Sequence, residues 1–372
     1  MIKPIRLICV AGARPNFVKL APLFRAFAST PEIAPILVHT GQHQDDCMSG
    51  RFLRELALPL PRYSLGAGPG SQVQQTAVIM QRLEPVLMAE RPSAVLVVGD
   101  VNSTLAAALA AKKLGFFLIH AEAGLRSFDR SMPEEINRLI VDAISDLNLV
   151  SEDSGMRNLA AEGVPPEKVR LVGDLMVDCL LSHVDEAKQS RIVEELGLHG
   201  RRFGVVTLHR PGNVDHNGQL GEILRALRDI STELPLVFPV HPRTAAKLPE
   251  RVCGPNIHVC EPLGYLDFLC LTSNSAVMLT DSGGVQEETS VLGIPCLTLR
   301  NNTERPATVE QGTNRLAGTT CESILRAWRQ PRDAARVADL PAVWDGHAAE
   351  RCVEAICDRL TGVEKRTRTA IG

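Results

Sequence analysis

Apolar residues in this chain gather into short, nearly continuous runs. In the first 175 residues the runs are Arg6–Ala11, Pro35–Thr40, Ala94–Gly99, Phe116–His120, Leu147–Ser151 and Val169–Gly173. Segments of helical composition separate them: Phe17–Ala28, Gln72–Ala89, Ser103–Leu114, Glu134–Ile144 and Ser154–Glu162. Unbroken apolar strands, as opposed to alternating ones, mark a parallel sheet covered on both faces. The repeated βα order brings right-handed crossovers and predicts a doubly wound α/β domain.

The rhythm breaks from Asp174 to about Gly200, a charged helical stretch that reads as a link. It restarts with strands at Phe203–Thr207, Leu236–Val240, Ile257–Cys260, Val277–Thr280, Cys296–Leu299 and Arg315–Gly318. Helices are expected at Leu220–Leu227, Tyr265–Thr272, Val285–Leu292 and Cys321–Trp328, and His347–Leu360 closes the chain. The expectation is two Rossmann-like domains, residues 1–175 and 176–372, with the closing helix 347–361 able to pack back on the first. A length of 372 residues suits two cores better than one.

Composition narrows the choice of ligand. A formal net charge of −3 offers no basic field for nucleic acid or a membrane surface, so any phosphate must be held by local groups. No apolar run approaches the ~18 residues of a membrane span, and the N-terminus lacks a signal-peptide layout. The cysteines are scattered, without a Cys-x-x-Cys pair. They read as buried thiols in a reducing cytoplasm, with neither a disulfide frame nor structural zinc.

Ligands of open parallel sheets bind outside the carboxyl ends of the strands. Those ends carry Gly12-Ala-Arg14 with Lys19, Gly41-Gln-His43, Asp100-Val-Asn102, and His120-Ala-Glu122. In the second half they carry His209-Arg210, His241-Pro-Arg243, Asp281-Ser-Gly-Gly284, and Arg300 with Glu304-Arg305. So many polar strand ends predict a cleft between two facing domains, with phosphate held on one wall and acid/base chemistry on the other. Ser282-Gly283-Gly284 stands where a strand gives way to a helix, so free backbone N–H groups and a positive dipole end suit a phosphate. Glu287 and Glu288 lie too far along that helix to cap it, so one is placed to reach a sugar hydroxyl. Arg14 and Lys19 sit at a helix start, where cations want an anion nearby. Asp100 and Asn102 serve equally well as caps for the helix at Ser103. Glu122 has no evident local structural task, and Glu134 stands in a good helix start, after Pro133. Asp100-Val-Asn102 finds no second ligand cluster, so neither metal nor cofactor is expected. Gly66-Ala-Gly-Pro-Gly70 follows no βα junction and is a loop.

Taken in order, Gly12-Ala-Arg-Pro-Asn, Thr40-Gly-Gln-His43, Gly99-Asp100, Asn102-Ser-Thr-Leu, His120-Ala-Glu-Ala-Gly-Leu-Arg-Ser127, Met132-Pro-Glu-Glu-Ile-Asn-Arg138, Leu208-His-Arg-Pro, Pro239-Val-His241, Asp281-Ser-Gly-Gly-Val-Gln-Glu-Glu288 and Thr303-Glu-Arg-Pro306 resemble the non-hydrolysing UDP-N-acetylglucosamine 2-epimerases. The resemblance runs from about residue 5 to 360. It implies the GT-B fold, two Rossmann-like domains facing a central cleft, in a homodimer. It implies a UDP-sugar substrate, with UDP-N-acetylglucosamine and UDP-N-acetylmannosamine interconverted for surface polysaccharides. The C2 proton is not beside a carbonyl, so the family eliminates UDP across C1–C2 and adds it back with C2 inverted.

By that resemblance Asp100, Glu122, Glu134, His209 and Lys19 are catalytic. Arg14, His241, Ser282, Gly283, Gly284, Glu288 and Arg305 bind substrate, with Glu288 on the ribose. Some relatives bind a second UDP-sugar as an activator, which here would fall near Gln42-His43. The chain departs from the family at Ala13, Asn16 and Gln44, and in His209-Arg-Pro-Gly-Asn213. Reaction type is therefore better defined than the sugar. A UDP-2,3-diacetamido uronic acid and a hydrolysing reaction releasing N-acetylmannosamine stay open.

Overall fold

The computed structural model describes residues 4–42, 50–215, 217–240, 242–245, 247–248, 254, 256–330 and 340–369. The chain divides into two compact units, residues 1–179 with 343–372, and residues 180–342.

In the first unit β1 (Ile5–Ala11), β2 (Ile33–His39), β3 (Tyr63–Ser64), β4 (Ala94–Val98), β5 (Phe117–Ala123), β6 (Leu147–Val150) and β7 (Val169–Leu171) form one sheet. Their order is β3-β2-β1-β4-β5-β6-β7, and every pairing is parallel. The connecting helices are α1 (Arg14–Ala28), α2 (Gly50–Glu55), α3 (Gln72–Glu90), α4 (Asn102–Lys113), α5 (Pro133–Ile144), α6 (Asp153–Ala161) and α7 (Leu175–Ala187). The order reverses between β1 and β4, the switch point at which such sheets open a crevice. Gly12 follows one of these strands, and Gly99-Asp100 follows the other. Helix α4 buries Ala106, Ala107, Ala108, Ala110 and Ala111. These small side chains let it lie close against the sheet between α3 and α5.

The second unit repeats the scheme. Helices α8 (Ile192–Glu195), α9 (Pro211–Val214), α10 (Asn217–Ser231), α11 (Pro242–Ala245), α12 (Tyr265–Ser273), α13 (Gly283–Leu292), α14 (Pro306–Glu310) and α15 (Cys321–Arg329) surround a second sheet. Its strands are β8 (Gly204–Thr207), β9 (Leu236–Pro239), β10 (Ile257–Cys260), β11 (Val277–Thr280), β12 (Cys296–Thr298) and β13 (Asn314–Leu316). They run in the order β10-β9-β8-β11-β12-β13, again all parallel. The switch point lies between β8 and β11, which lead into His209-Arg210 and Asp281-Ser282.

The chain passes from one unit to the other inside α7, later than the expected 175/176. Leu175, Met176, Val177 and Cys179 at the start of α7 are buried and fall in the first unit. The last helix, α16 (Ala348–Thr369), packs on α1. Its start is capped by Asp178, whose Oδ1 and Oδ2 accept from the Ala348 and Ala349 amides at 3.1 and 2.7 Å. Among the described residues no helix is long and apolar enough to cross a membrane, and the cysteines are free.

Candidate active site

Each unit assembles its own polar set. In the first, Glu122 is the irregular residue of β5. Pairing with β6 shifts register between Ala121 and Ala123, and Glu122 has φ +68°. A left-handed conformation costs a non-glycine residue about 1–2 kcal/mol. Glu122 Oε2 forms an ion pair with Lys19 Nζ, and both side chains are 9% exposed. The space for this pair depends on Gly99, at φ +69°. A Cβ there would stand 3.1 Å from Glu122 Oε2 and 3.3 Å from Lys19 Nζ. Lys19 was expected to meet an anion from its place in α1. Within the fold that anion is the Glu122 carboxylate.

Asp100 forms an ion pair with the buried Arg138, and its carbonyl accepts from Asn137 Nδ2 at 2.7 Å. It does not cap α4: the cap position is Val101, with no side-chain bond. Asn102 donates to Gln75 Oε1 at 2.9 Å. Arg138 also donates from Nε and Nη2 to Glu135 Oε2, at 3.0 and 2.7 Å. Glu135 accepts from the backbone of Ser127 and Phe128, each at 2.9 Å. Burial alone would raise the Glu135 carboxyl, but the Ser127 amide and the Arg138 guanidinium hold it below its usual range. Glu134 sits half-buried in the first turn of α5, while its neighbour Glu135 does the structural work.

Arg14 heads α1 with its guanidinium over the Phe52 ring, 5.1 Å from the centroid. Asn16 is buried and accepts from the Gly12 and Ala13 amides at 3.1 and 3.0 Å. It thereby supports the turn after β1 from within. Gln42 is also committed internally, as Oε1 accepts from the Ser103 amide and hydroxyl at 2.9 and 2.7 Å. His43, the other half of the expected activator segment, lies outside the described residues, as does His241.

In the second unit Asp281 is the organising carboxylate. It is fully buried and pairs with His209 Nδ1 at 3.0 Å, while the His209 side chain stays 44% exposed. It also accepts from the His209 and Arg210 amides and from Asn213 Nδ2, at 3.1, 3.0 and 3.1 Å. Burial pushes the Asp281 carboxyl up, but His209 and the Arg210 amide prevail and bring it to about 2. Ser282 is the cap residue of α13 but makes no capping bond with its side chain. Gly283 and Gly284 open the helix. A Cβ on Gly283 would stand 2.6 Å from Glu304 Oε1. Glu304 accepts from Arg210 Nη2 at 3.0 Å and Arg300 Nη2 at 2.7 Å. Burial opposes ionisation of Glu304, yet Arg210, Arg300 and Arg305 hold its carboxyl well below the usual range.

Arg305 is buried and forms an ion pair with Glu287. Glu288 is buried beside it in α13. The sequence had singled out Arg305 and Glu288. Glu287, Glu304 and Asp281 were noted among the polar groups without an assigned role, whereas Glu135 and Arg138 were passed over as site residues. All of them lie inside the quoted motifs, and the i,i+3 spacing of Glu135 and Arg138 was a legible signal.

Two Rossmann-like units, each with basic and acidic groups gathered at the switch point of a parallel sheet, define a sugar-nucleotide protein of the GT-B class. The model of the UDP-N-acetylglucosamine 2-epimerase family matches residues 25–357. A UDP-N-acetylglucosamine 2-epimerase of Methanocaldococcus jannaschii is 40% identical over 334 residues, 87% of this chain and 91% of that protein. The crystal structure of the M. jannaschii enzyme in complex with UDP-GlcNAc and UDP superposes with a TM-score of 0.89. Identity there is 39%, covering 94% of this chain and 99% of the other. A UDP-2,3-diacetamido-2,3-dideoxy-D-glucuronate 2-epimerase of Pseudomonas aeruginosa is 37% identical over 354 residues, 94% of this chain and 99% of that protein. The chain belongs to the UDP-N-acetylglucosamine 2-epimerase family.

Proposed function

We propose that this protein inverts C2 of a UDP-2-acetamido sugar, converting UDP-N-acetylglucosamine to UDP-N-acetylmannosamine without hydrolysis. The observation that carries the reading is Glu122, held in a left-handed bulge with Lys19 on its carboxylate. Strain kept at one carboxylate beside a switch point suits a catalytic group. The M. jannaschii relative with UDP-GlcNAc and UDP bound supports the choice of ligand.

A base removes the C2 proton, the C1–C2 double bond forms, and the C1–O bond breaks with its electron pair leaving on UDP. UDP then adds back through oxygen at C1 while an acid delivers a proton to the opposite face of C2. Asp100, Glu122 and Glu134 are the carboxylates for these transfers, and Lys19 and His209 are the further catalytic groups. Arg14, His241, Ser282, Gly283, Gly284, Glu288 and Arg305 hold UDP and ribose, so that the leaving group is bound throughout. The enzyme works as a cytoplasmic homodimer that supplies polysaccharide synthesis. A second UDP-sugar near Gln42-His43 acts as an activator.

The P. aeruginosa relative keeps one alternative in view, a UDP-2,3-diacetamido uronic acid. Purified protein is incubated with each UDP-sugar and the products are followed by NMR. UDP-linked N-acetylmannosamine from UDP-N-acetylglucosamine supports the reading. Turnover of the diacetamido uronic acid alone changes the sugar, and free N-acetylmannosamine with UDP indicates a hydrolase.

A further inference from the structure

One carboxylate on α5 ties together the two strand ends that carry Asp100 and Glu122. Asp142 is buried. Its Oδ2 accepts from the Gly124 amide at 3.0 Å, two residues after Glu122. Its Oδ1 lies 2.6 Å from His120 Nδ1, and the other ring nitrogen, Nε2, donates to the Gly99 carbonyl at 2.9 Å. Gly99 immediately precedes Asp100. The Gly99 amide in turn donates to the Ala121 carbonyl at 3.1 Å, immediately before Glu122. A closed circuit therefore runs Asp142–His120–Gly99–Ala121 and returns through Gly124 to Asp142.

The circuit is anchored from outside. Arg126 Nη1 meets Asp142 Oδ2 at 2.7 Å, and Arg126 Nε and Nη2 donate to the Glu162 carboxylate at 2.7 and 2.6 Å. Burial would raise the Asp142 carboxyl, but the His120 ring and the Arg126 guanidinium keep it below its usual range. The same helix also supplies Asn137 to the Asp100 carbonyl and Arg138 to its carboxylate. Both Gly99 and Glu122 have positive φ, so the two turns that bear the carboxylates need external restraint. His120 has no exposed surface. The sequence suggested a strand end at His120, the place of a chemical group, but it lies within β5 and its bonds are those of a brace.

We infer that His120 and Asp142 are positioning residues that set the separation of Asp100 and Glu122 for the C2 proton transfers. The inference rests on the epimerase reading above. A misplacement of about 1 Å in such a pair can cost about 100-fold in rate.

The test compares His120→Asn with His120→Gln. Glutamine places its amide nitrogen near the position of Nε2 and keeps a donor for the Gly99 carbonyl, whereas asparagine reaches only toward Asp142. His120→Asn is expected to lose about 100-fold in kcat with UDP affinity close to wild type, and His120→Gln to recover much of that loss. Thermal melting of both variants removes the possibility that activity merely follows stability. Crystal structures supply a readout independent of turnover: Asp100 and Glu122 are displaced in His120→Asn and remain in place in His120→Gln. Unmoved carboxylates in His120→Asn, or equal activity losses that track melting temperature in both variants, overturn the inference. Absence of turnover in the wild type would overturn the functional reading instead, and the crystallographic comparison would still decide the brace.

Discussion

Lys19 and Glu122, 103 residues apart in sequence, meet as an ion pair at the carboxyl ends of β1 and β5. The pair joins a cation at a helix start to a carboxylate on a strained bulge, and Gly99 makes room for both.

If Glu122 transfers a proton at C2, Glu122→Gln should retain UDP while losing turnover. The expected fall in kcat is about 10²–10⁴-fold, the usual contribution of a positioned acid or base. Steady-state kinetics alongside calorimetric titration with UDP separate the two effects. Parallel losses in binding and turnover would remove Glu122 from the chemistry.

Gly283 predicts a different split. Its missing Cβ would stand 2.6 Å from Glu304 Oε1. Gly283→Ala must therefore displace a carboxylate fixed by Arg210 and Arg300, at a cost of about 1–3 kcal/mol for overpacking. UDP affinity, read by calorimetry, is expected to weaken, while the N-terminal set of residues is untouched. Unchanged affinity would argue that the start of α13 does not hold the diphosphate.

Asp281 links the second unit to pH. Its folded value of about 2 lies below the ordinary 3.8 because His209 and the Arg210 amide outweigh burial. A depressed carboxyl contributes stability that is present above pH 3.8 and lost as pH falls through about 2. The magnitude is about 2 kcal/mol. Denaturant melts of the wild type and Asp281→Asn across pH 2–5 should show a shallower slope in the variant by about that amount. His209, deprived of its ionic partner, should also support less turnover in the variant.

Asp178 behaves in the opposite sense. Burial is the main cause that raises its carboxyl to about 6, against the lowering effect of the Ala348 and Ala349 amides. Its contribution is fully present below about pH 3.8 and is lost as pH rises through about 6, a change of about 3 kcal/mol. Asp178→Asn keeps an acceptor for α16 and should flatten stability across that window. An unaltered pH slope in the variant would contradict the assignment.

The strands were legible because both faces of each are covered, which makes their sequences continuously apolar. β3 escaped notice for the converse reason: Tyr63–Ser64 is two residues at a sheet edge, with no apolar run. The unit boundary also escaped. Charged composition drew attention to the stretch after Asp174, whereas the division between the two compact units falls at 179/180, inside α7. Polar residues at strand ends could be read from pattern, but their partners could not. Nothing local in the sequence joins Lys19 to Glu122, His120 to Asp142, or Arg305 to Glu287. Those pairings arise from strand order, which brings distant ends side by side. His120 shows the limit well, since a histidine at a strand end looks the same whether it faces a ligand or braces a turn.

The most direct test of the central claim is C2 exchange in heavy water. UDP-N-acetylglucosamine is incubated with the protein in D2O and the UDP-linked sugars are examined by proton NMR. The account predicts deuterium at C2 of the UDP-linked manno product, and in time of the recovered gluco substrate. Inversion at C2 with the original proton retained, or unchanged substrate with no exchange, would contradict it.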